Sequence, residues 1–288
     1  MSKFRSRKEI FKRRRAFKRQ RAVLLLIILV AFLSITVPIH FKYNNNNKSV
    51  AISTNKNTVK APIVKSSPNA NTNLKESKLN YTDTTTTNVY KSDGHKIAYL
   101  TFDDGPSIEN TPQILKILDK YKIKATFFIL GRMAIINPDL VKKEYEDGQA
   151  IGNHTYSHDY TVLYSNTNKF VSDVNKCDAV LKSIIGSKYD NKLIRFPGGS
   201  FGVAHRPFRV AIKNVGYNYI DWNDLTGDAE GHNIPVSKLL SNLKENTIGK
   251  ERVVVLMHDS ADKETTVQAL PEVIEYLKSQ GYSFKILK

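Results

Sequence analysis

The sequence has 288 residues and a single cysteine, so the chain can form one large domain or two ordinary ones but closes no internal disulfide. Its formal net charge is +17, yet residues 1–21 alone hold eleven of the 44 basic side chains and one acidic side chain. Residues 96–288 carry 25 basic and 23 acidic side chains, which excludes a strongly basic, nucleic-acid-binding domain in that part of the chain.

The basic N-terminal run is followed by an uncharged apolar segment, AVLLLIILVAFLSITVPI, at residues 22–39. A helix of this length can cross a hydrocarbon core of about 30 Å. Because basic flanks stay in the cytoplasm, residues 1–21 are predicted to be a cytoplasmic tail and the rest of the chain to lie outside the cell. The sequence therefore predicts a single-pass membrane anchor with an extracellular domain. A cleaved signal peptide, which would give a secreted protein, is the alternative.

Residues 40–94 contain the runs NNNN and TTTT with scattered lysine and serine. This composition offers little apolar surface to bury, so it cannot offset the entropy lost on ordering. The segment is therefore predicted to be a flexible linker between the membrane and a folded domain at residues 95–288.

The folded domain shows short apolar runs that alternate with amphipathic helical patterns, which is typical of parallel strands joined by crossover helices. The α/β class follows, with about seven strands in either a barrel or an open doubly wound sheet. The predicted strands are residues 97–103, 125–130, 150–154, 193–196, 217–222, 252–258 and 282–287.

Polar side chains follow these strands at the points where each strand ends. In both architectures the carboxyl ends of the strands meet at one edge, where functional residues gather. The residues in these positions are Asp103 and Asp104 after the first strand, His154 after the third, Arg195 near the end of the fourth, Asp221, Asp224 and Asp228 after the fifth, and His258 at the end of the sixth.

The segment HTYSH places His154 and His158 four residues apart, so both imidazoles face one side if the segment forms a helical turn. One carboxylate from the DDG segment would complete a metal site with two histidines and one aspartate. The neighbouring carboxylate could then accept a proton from an attacking water. A structural pair of histidines and an ordinary Asp-Gly turn are the alternatives.

Hydrolysis of an amide or ester also needs a group that protonates the leaving atom. His258 could do so, with Asp228 or Asp221 as the acid that orients it. In RFPGGS, Arg195 could hold a carboxylate, and the backbone N–H groups of the following turn could face an oxyanion. Each feature also has a purely structural explanation, as a strand end, an ion pair or a turn.

Together these motifs resemble the NodB-homology polysaccharide deacetylases of carbohydrate esterase family 4, over about residues 95–288. The family motif TFDDGP is reproduced at residues 101–106, and the motif His-Ser/Thr-x-x-His is present as HTYSH. The resemblance implies a distorted (β/α) barrel that holds a divalent cation, usually zinc. It also implies that Asp103 is the catalytic base and that the metal ligands are Asp104, His154 and His158.

The third family motif, Arg-x-Pro-aromatic, is present with Gly198 in the aromatic position. The resemblance implies that Arg195 braces Asp103 and that the backbone N–H of Gly198 helps to hold the oxyanion. Because glycine has no side chain, this substitution is expected to leave one wall of the substrate groove open.

The fourth family motif, Asp-Trp, is present as Asp228 followed by Ala229, and the fifth, Leu-x-His, is intact at residues 256–258. The resemblance implies that Asp228 tunes His258, although Asp221 and Asp224 are alternatives. It further implies that Leu256 lines the pocket for the acetyl methyl group and that His258 protonates the leaving amine.

The resulting expectation is an enzyme that removes N-acetyl groups from amino sugars of a cell-wall polysaccharide. An extracellular, tethered domain favours peptidoglycan, while chitin-like or poly-N-acetylglucosamine polymers remain open. The sequence gives no indication of a nucleic-acid or obligatory protein partner. A non-catalytic wall-glycan-binding domain is the second hypothesis. A metallopeptidase ranks below both, because the sequence has no His-Glu-x-x-His helix.

Overall fold

The computed structural model describes residues 87–287. The predicted cytoplasmic tail, membrane anchor and most of the linker lie outside these residues. Within residues 87–287, no helix combines the length and apolar character needed to span a membrane. The last residues of the predicted linker include a short helix, α1 (Thr87–Tyr90), whose Val89 and Tyr90 pack against the domain core.

The remaining elements alternate as the sequence predicts. The helices that follow α1 are α2 (Thr111–Tyr121), α3 (Gly131–Ile136), α4 (Pro138–Glu146), α5 (Tyr160–Leu163), α6 (Thr167–Ile185), α7 (Arg206–Asn214), α8 (Val236–Thr247) and α9 (Glu264–Ser279). The strands are β1 (Ile97–Asp103), β2 (Thr126–Ile129), β3 (Ala150–Asn153), β4 (Leu193–Ile194), β5 (Asn218–Tyr219), β6 (Asp224–Leu225), β7 (Arg252–His258) and β8 (Ser283–Phe284).

These strands form one parallel sheet in the order β5-β4-β3-β2-β1-β7-β6, and β8 pairs with the start of β1. The two edge strands, β5 and β6, are joined by residues 220–223 alone. Four residues span at most about 15 Å, so the sheet must curl to bring its edges together. The structure therefore confirms the curled parallel α/β architecture of the predicted distorted barrel.

Side-chain alternation along β1 separates the inside of the curl from the outside. Ala98, Leu100 and Phe102 belong to the large core between the sheet and the helices, whereas Ile97 and Tyr99 pack in a second, inner cluster. Because alternate strand residues share a face, Thr101 and Asp103 continue the inner face toward the mouth of the barrel. The aspartate thus ends β1 inside the curl.

The sequence predicted the long strands best. The predicted strand at residues 252–258 coincides with β7, but the predicted strand at 217–222 is too long, and β6 was missed. A two-residue strand such as β6 contains too few residues for a recognisable alternation, so its pairing with β7 depends on the tertiary structure.

The carboxyl ends of β1 and β7 are fastened together. Asp103 lies in register with His258, and the backbone N–H of Asp259 donates to the carbonyl oxygen of Asp103 at 3.2 Å. Gly105 makes room for this junction, since a Cβ at this position would lie 2.1 Å from Oδ2 of Asp259. The two strand ends that carry the predicted base and acid are therefore held side by side.

Candidate active site

Asp103 and Asp104 are adjacent in sequence but differ in backbone conformation and surroundings. Asp103 ends β1 in an extended conformation and is buried, while Asp104 has a φ of 76°. That left-handed conformation is uncommon outside glycine, although aspartate tolerates it better than most residues. It turns the second carboxylate away from the first. The two side chains therefore have different partners.

The carboxylate of Asp104 lies against two imidazoles. Its Oδ1 atom is 3.4 Å from Nε2 of His154 and 3.4 Å from Nε2 of His158, and the two rings are 5.0 Å apart. The segment from His154 to His158 is a loop, with left-handed Thr155 and His158, so the predicted helical turn is wrong. The loop nevertheless brings the two imidazoles together. The next helix, α5, begins only at Tyr160.

The ligand atoms of Asp104, His154 and His158 lie within 4.8 Å of one another and fit a divalent cation. The Oδ1 atom of Asp104 is buried and has no hydrogen-bond partner within the described residues, which would be costly unless a cation satisfied it. Nδ1 of His154 lies 2.9 Å from the carbonyl oxygen of Arg195, leaving Nε2 to face the cluster.

The protonation of this cluster also suits a cation. Burial alone would raise the pKa of Asp104, but the charges of His154 and His158 outweigh it and hold the pKa below its ordinary value. Burial lowers the pKa of His158, and the neighbouring charge of His154 lowers it further. Both shifts favour metal binding, because a carboxylate that ionises readily and an imidazole that loses its proton readily give the forms that bind metal.

Arg195 crosses the inside of the barrel from β4 to β1, and its side chain is fully buried. Its Nη1 atom donates to Oδ1 of Asp103 at 2.9 Å and to Oγ1 of Thr101 at 2.6 Å. Its remaining donors reach the carbonyl oxygens of Ile220 and Asp221, both at 3.3 Å. This network fixes one carboxylate oxygen of Asp103, and the other, Oδ2, lies 3.8 Å from Nε2 of His154.

His258 ends β7 and contacts one of the three aspartates that the sequence left open. Its Nδ1 atom lies 2.9 Å from Oδ1 of Asp228, and its backbone N–H donates to Oδ2 of Asp228 at 2.7 Å. Asp221 instead accepts from Ser200, and Asp224 accepts from Thr247. Among these aspartates, Asp228 is therefore the one placed to orient the imidazole.

The surroundings of His258 favour its charged form. Burial alone would lower the pKa of His258, but the hydrogen bond and charge of Asp228, together with the charges of Asp103 and Asp104, raise it to about 9. An imidazolium at neutral pH can donate a proton from Nε2, because Nδ1 is engaged by Asp228.

Known proteins resemble this chain in sequence and in fold. Residues 90–220 match the family model for polysaccharide deacetylase. A peptidoglycan-N-acetylglucosamine deacetylase of Bacillus cereus is 36% identical over 198 residues, which cover 66% of this chain and 85% of the relative. The chain belongs to the polysaccharide deacetylase family. It is a hydrolase of the deacetylase type.

Solved structures of polysaccharide deacetylases share the fold. A CE4 esterase of Streptococcus mutans is similar with a TM-score of 0.63 and 32% identity, covering 68% of this chain and 87% of the esterase. A CE4 pseudoenzyme of Bacillus anthracis is similar with a TM-score of 0.58 and 25% identity, covering 68% of this chain and 65% of the pseudoenzyme. Since the fold occurs with and without activity, catalysis depends on the residues of the site.

Two further residues named from the deacetylase pattern lie at the mouth of the barrel. Leu256 is in register with Thr101 on the inner face and is 8% exposed, so it lies beneath the reacting groups. Gly198 has a φ of 74° in the turn after β4, a conformation in which a side chain is strained. Their predicted contacts with substrate stay predictions.

Two hydroxyl groups that support the site were not predicted from the sequence. Thr101 accepts from Arg195 and donates to the carbonyl oxygen of Val255 at 2.6 Å. Thr266, in the first turn of α9, donates to Oδ2 of Asp228 at 2.8 Å. Strand alternation could have identified Thr101, which lies two residues before Asp103. No sequence pattern links Thr266 to Asp228.

Asp221, whose carbonyl oxygen accepts from Arg195, lines a cleft of about 790 Å³. Its walls include Tyr90, Phe201 and Trp222, and the Phe201 and Trp222 rings meet edge to face at 5.2 Å. This volume suits a small ligand or a few sugar units, and aromatic side chains are typical of such sites. Neither the cluster of possible metal ligands nor Asp103 or His258 lines this cleft, so it is separate from the reacting groups.

Proposed function

We propose that this protein is a metal-dependent deacetylase that removes the N-acetyl group from N-acetylglucosamine in peptidoglycan. The observation that carries the proposal is the meeting of three units at one end of the barrel. These units are Asp103 held by Arg195, the cluster of Asp104 with two imidazoles, and His258 held by Asp228. The name of the Bacillus cereus relative supports peptidoglycan as the polymer.

The proposal includes attachment of the domain to the outer face of the cell membrane. Its support is the basic run at residues 1–21 and the apolar segment at residues 22–39, which together resemble a cytoplasmic tail and an anchor. A domain held in this way would remain close to the wall polymer that it modifies.

Asp104, His154 and His158 would hold the cation, for which zinc is the proposed identity because it favours imidazole and carboxylate ligands. When bound, the cation polarises the acetyl carbonyl and makes a nearby water easier to deprotonate. The protein's own residues then carry the proton transfers and hold the reacting atoms in place.

Asp103 would act as the general base. Arg195 fixes Oδ1 of Asp103, so Oδ2, on the side of the metal ligands, is the oxygen that accepts a proton from water. The water oxygen forms a bond to the acetyl carbon, and negative charge develops on the carbonyl oxygen. The backbone N–H of Gly198 is proposed to donate to that oxyanion.

His258 would act as the general acid when the carbon–nitrogen bond breaks. It gives its Nε2 proton to the leaving sugar nitrogen, and the acetyl group, now bonded to the water oxygen, leaves as acetate. Leu256 is proposed to contact the acetyl methyl group. Asp228 keeps the imidazole oriented and charged until the proton moves.

Substituting Asp228 by asparagine is expected to shift the pH profile of kcat/KM, which reports the pKa values of the free enzyme. The general acid must be protonated, so activity falls as pH rises through the pKa of His258, which is about 9 with Asp228 ionised. Removing that negative charge lowers the pKa and moves the alkaline limb to lower pH by about one unit or more. The measurement is kcat/KM for acetate release between neutral and alkaline pH.

The matched control is Asp224→Asn, since Asp224 is also buried but bonds Thr247. This control is expected to keep the alkaline limb where the unaltered protein has it. An alkaline limb that stays in place in Asp228→Asn would contradict the assignment of His258 as the acid tuned by Asp228.

The proposed function is tested by incubating the purified domain with peptidoglycan, chitin oligomers and poly-N-acetylglucosamine in parallel. Acetate is expected from peptidoglycan, with free amino groups appearing on its glucosamine. Acetate release from only one of the other polymers would show that this polymer, and not peptidoglycan, is the substrate. Binding to peptidoglycan without acetate release would instead support a non-catalytic wall-binding domain.

A further inference from the structure

Helix α5 directly follows the segment that carries His154 and His158, and it packs on the turn after β4. Asp159 caps this helix by accepting from the backbone N–H groups of Thr161 and Val162. Tyr164, the residue after the helix, donates its hydroxyl to the carbonyl oxygen of Pro197 at 2.7 Å. The metal-ligand loop and the turn that contains Gly198 are therefore joined through α5.

Tyr160, one helical turn before Tyr164, covers the turn at Gly198. A Cβ atom at Gly198 would lie 3.0 Å from Cε1 and 3.0 Å from Oη of Tyr160, closer than side chains normally approach. The same ring packs edge to face on His158, with the ring centres 5.3 Å apart. The Tyr160 ring therefore borders the space that a side chain at position 198 would enter.

The substitution by Gly198 was expected to leave one wall of the groove open. In the structure, an aromatic ring from another element, Tyr160, lies beside the exposed Gly198. A side chain at position 198 would require the Tyr160 ring to move, so the glycine lets the ring lie close to the turn.

The position of Tyr160 is also accessible. Its side chain is 51% exposed although its edge touches His158, a proposed metal ligand. A large aromatic surface that stays half in solvent beside a reacting centre is available to a ligand. Sugar rings present both C–H groups and hydroxyls, which suit an aromatic face with a phenolic hydroxyl.

The other side of the same turn is aromatic too. A Cβ at Gly199 would lie 2.4 Å from Phe201 and 3.1 Å from Trp222, the rings that line the cleft beside Asp221. The turn therefore lies between the Tyr160 ring and the Phe201–Trp222 pair, with Gly198 exposed and Gly199 buried. Aromatic rings on both sides of one turn suit a polymer that spans the turn better than a single sugar.

We propose that Tyr160 is a specificity-determining residue that contacts a sugar ring of the glycan and forms the groove wall next to His158. This inference rests on the proposed deacetylase function. It assigns to Tyr160 a binding role for the polymer, separate from the proton transfers of Asp103 and His258.

The test compares Tyr160→Ala and Tyr160→Phe with Val162→Ala, using soluble peptidoglycan glycan strands as the substrate. Val162 lies on the same short helix and is 41% exposed, so it controls for changes in that helix. Tyr160→Ala is expected to raise KM about tenfold while kcat changes less than about threefold, because the contact helps substrate and transition state alike. Tyr160→Phe, which keeps the ring, is expected to stay closer to the unaltered protein.

Two binding measurements complete the test. In an Asp103→Asn background, adding Tyr160→Ala should weaken binding of the same strands about tenfold, whereas the zinc affinity should not change. An unchanged KM and strand affinity would overturn the inference. Loss of zinc affinity would overturn it too, because Tyr160 would then act by positioning His158. Failure of the proposed function is a separate result, in which the unaltered protein releases no acetate from any glycan.

Discussion

Asp103→Asn is expected to lower kcat for acetate release by about 10²- to 10⁴-fold, the usual contribution of a general base. The asparagine keeps the shape of the side chain and can still accept from Arg195, but its amide cannot take a proton from water. Zinc should remain bound, because the cluster of possible metal ligands contains Asp104 and not Asp103. Steady-state kinetics and the zinc content of the purified variant measure the two effects.

The buried guanidinium of Arg195 makes a stability control necessary. It would lose its anionic partner in Asp103→Asn, so the variant is expected to unfold at a lower temperature. Activity is therefore compared well below the unfolding transition. Asp139→Asn on α4, where the aspartate is almost fully exposed, is the matched substitution and should leave kcat unchanged. Near-normal turnover by Asp103→Asn would show that the base is a different group.

Asp104→Asn is expected to weaken zinc binding by about 100-fold or more. A neutral amide replaces the anionic oxygen that faces both imidazoles, and even changes to the outer partners of metal ligands cost about 10- to 100-fold in affinity. Activity should be lost at limiting zinc and recover in part at high zinc concentration. Equilibrium dialysis against zinc, followed by the acetate assay on the same samples, measures both effects.

Comparing Asp103→Asn with Asp104→Asn tests the two roles more strictly than either variant does alone. The left-handed backbone of Asp104 separates the carboxylates, so one variant should keep zinc without turnover and the other should lose zinc first. Equal loss of zinc in both variants would contradict this separation of roles. Full retention of zinc by Asp104→Asn would remove the aspartate from the proposed ligand set.

The parts of the fold that the sequence predicted well are those fixed by local pattern. β1 and β7 are long buried runs that end on Asp103 and His258, so both their bounds and their chemistry were readable. β6 was not predicted because two residues show no alternation. Its place at the sheet edge depends on the curl of the other strands.

The site was predictable to the level of residue types at strand ends and less so in its contacts. The motif resemblance favoured Asp228 and left Asp221 and Asp224 as alternatives, and the tertiary structure places Asp228 against His258. The motif departure at Gly198 suggested a gap, because spacing in sequence could not show that Tyr160 lies over that turn. The roles of these residues stay predictions until the variants are measured.

The most direct test of the central proposal is acetate release from purified peptidoglycan by one protein sample in three states. The sample is assayed as purified, after exhaustive chelation, and after zinc is returned to the chelated protein. We expect release in the first state, its loss in the second and its recovery in the third, with the fold unchanged throughout by circular dichroism. Equal acetate release before and after complete removal of the metal would contradict the account.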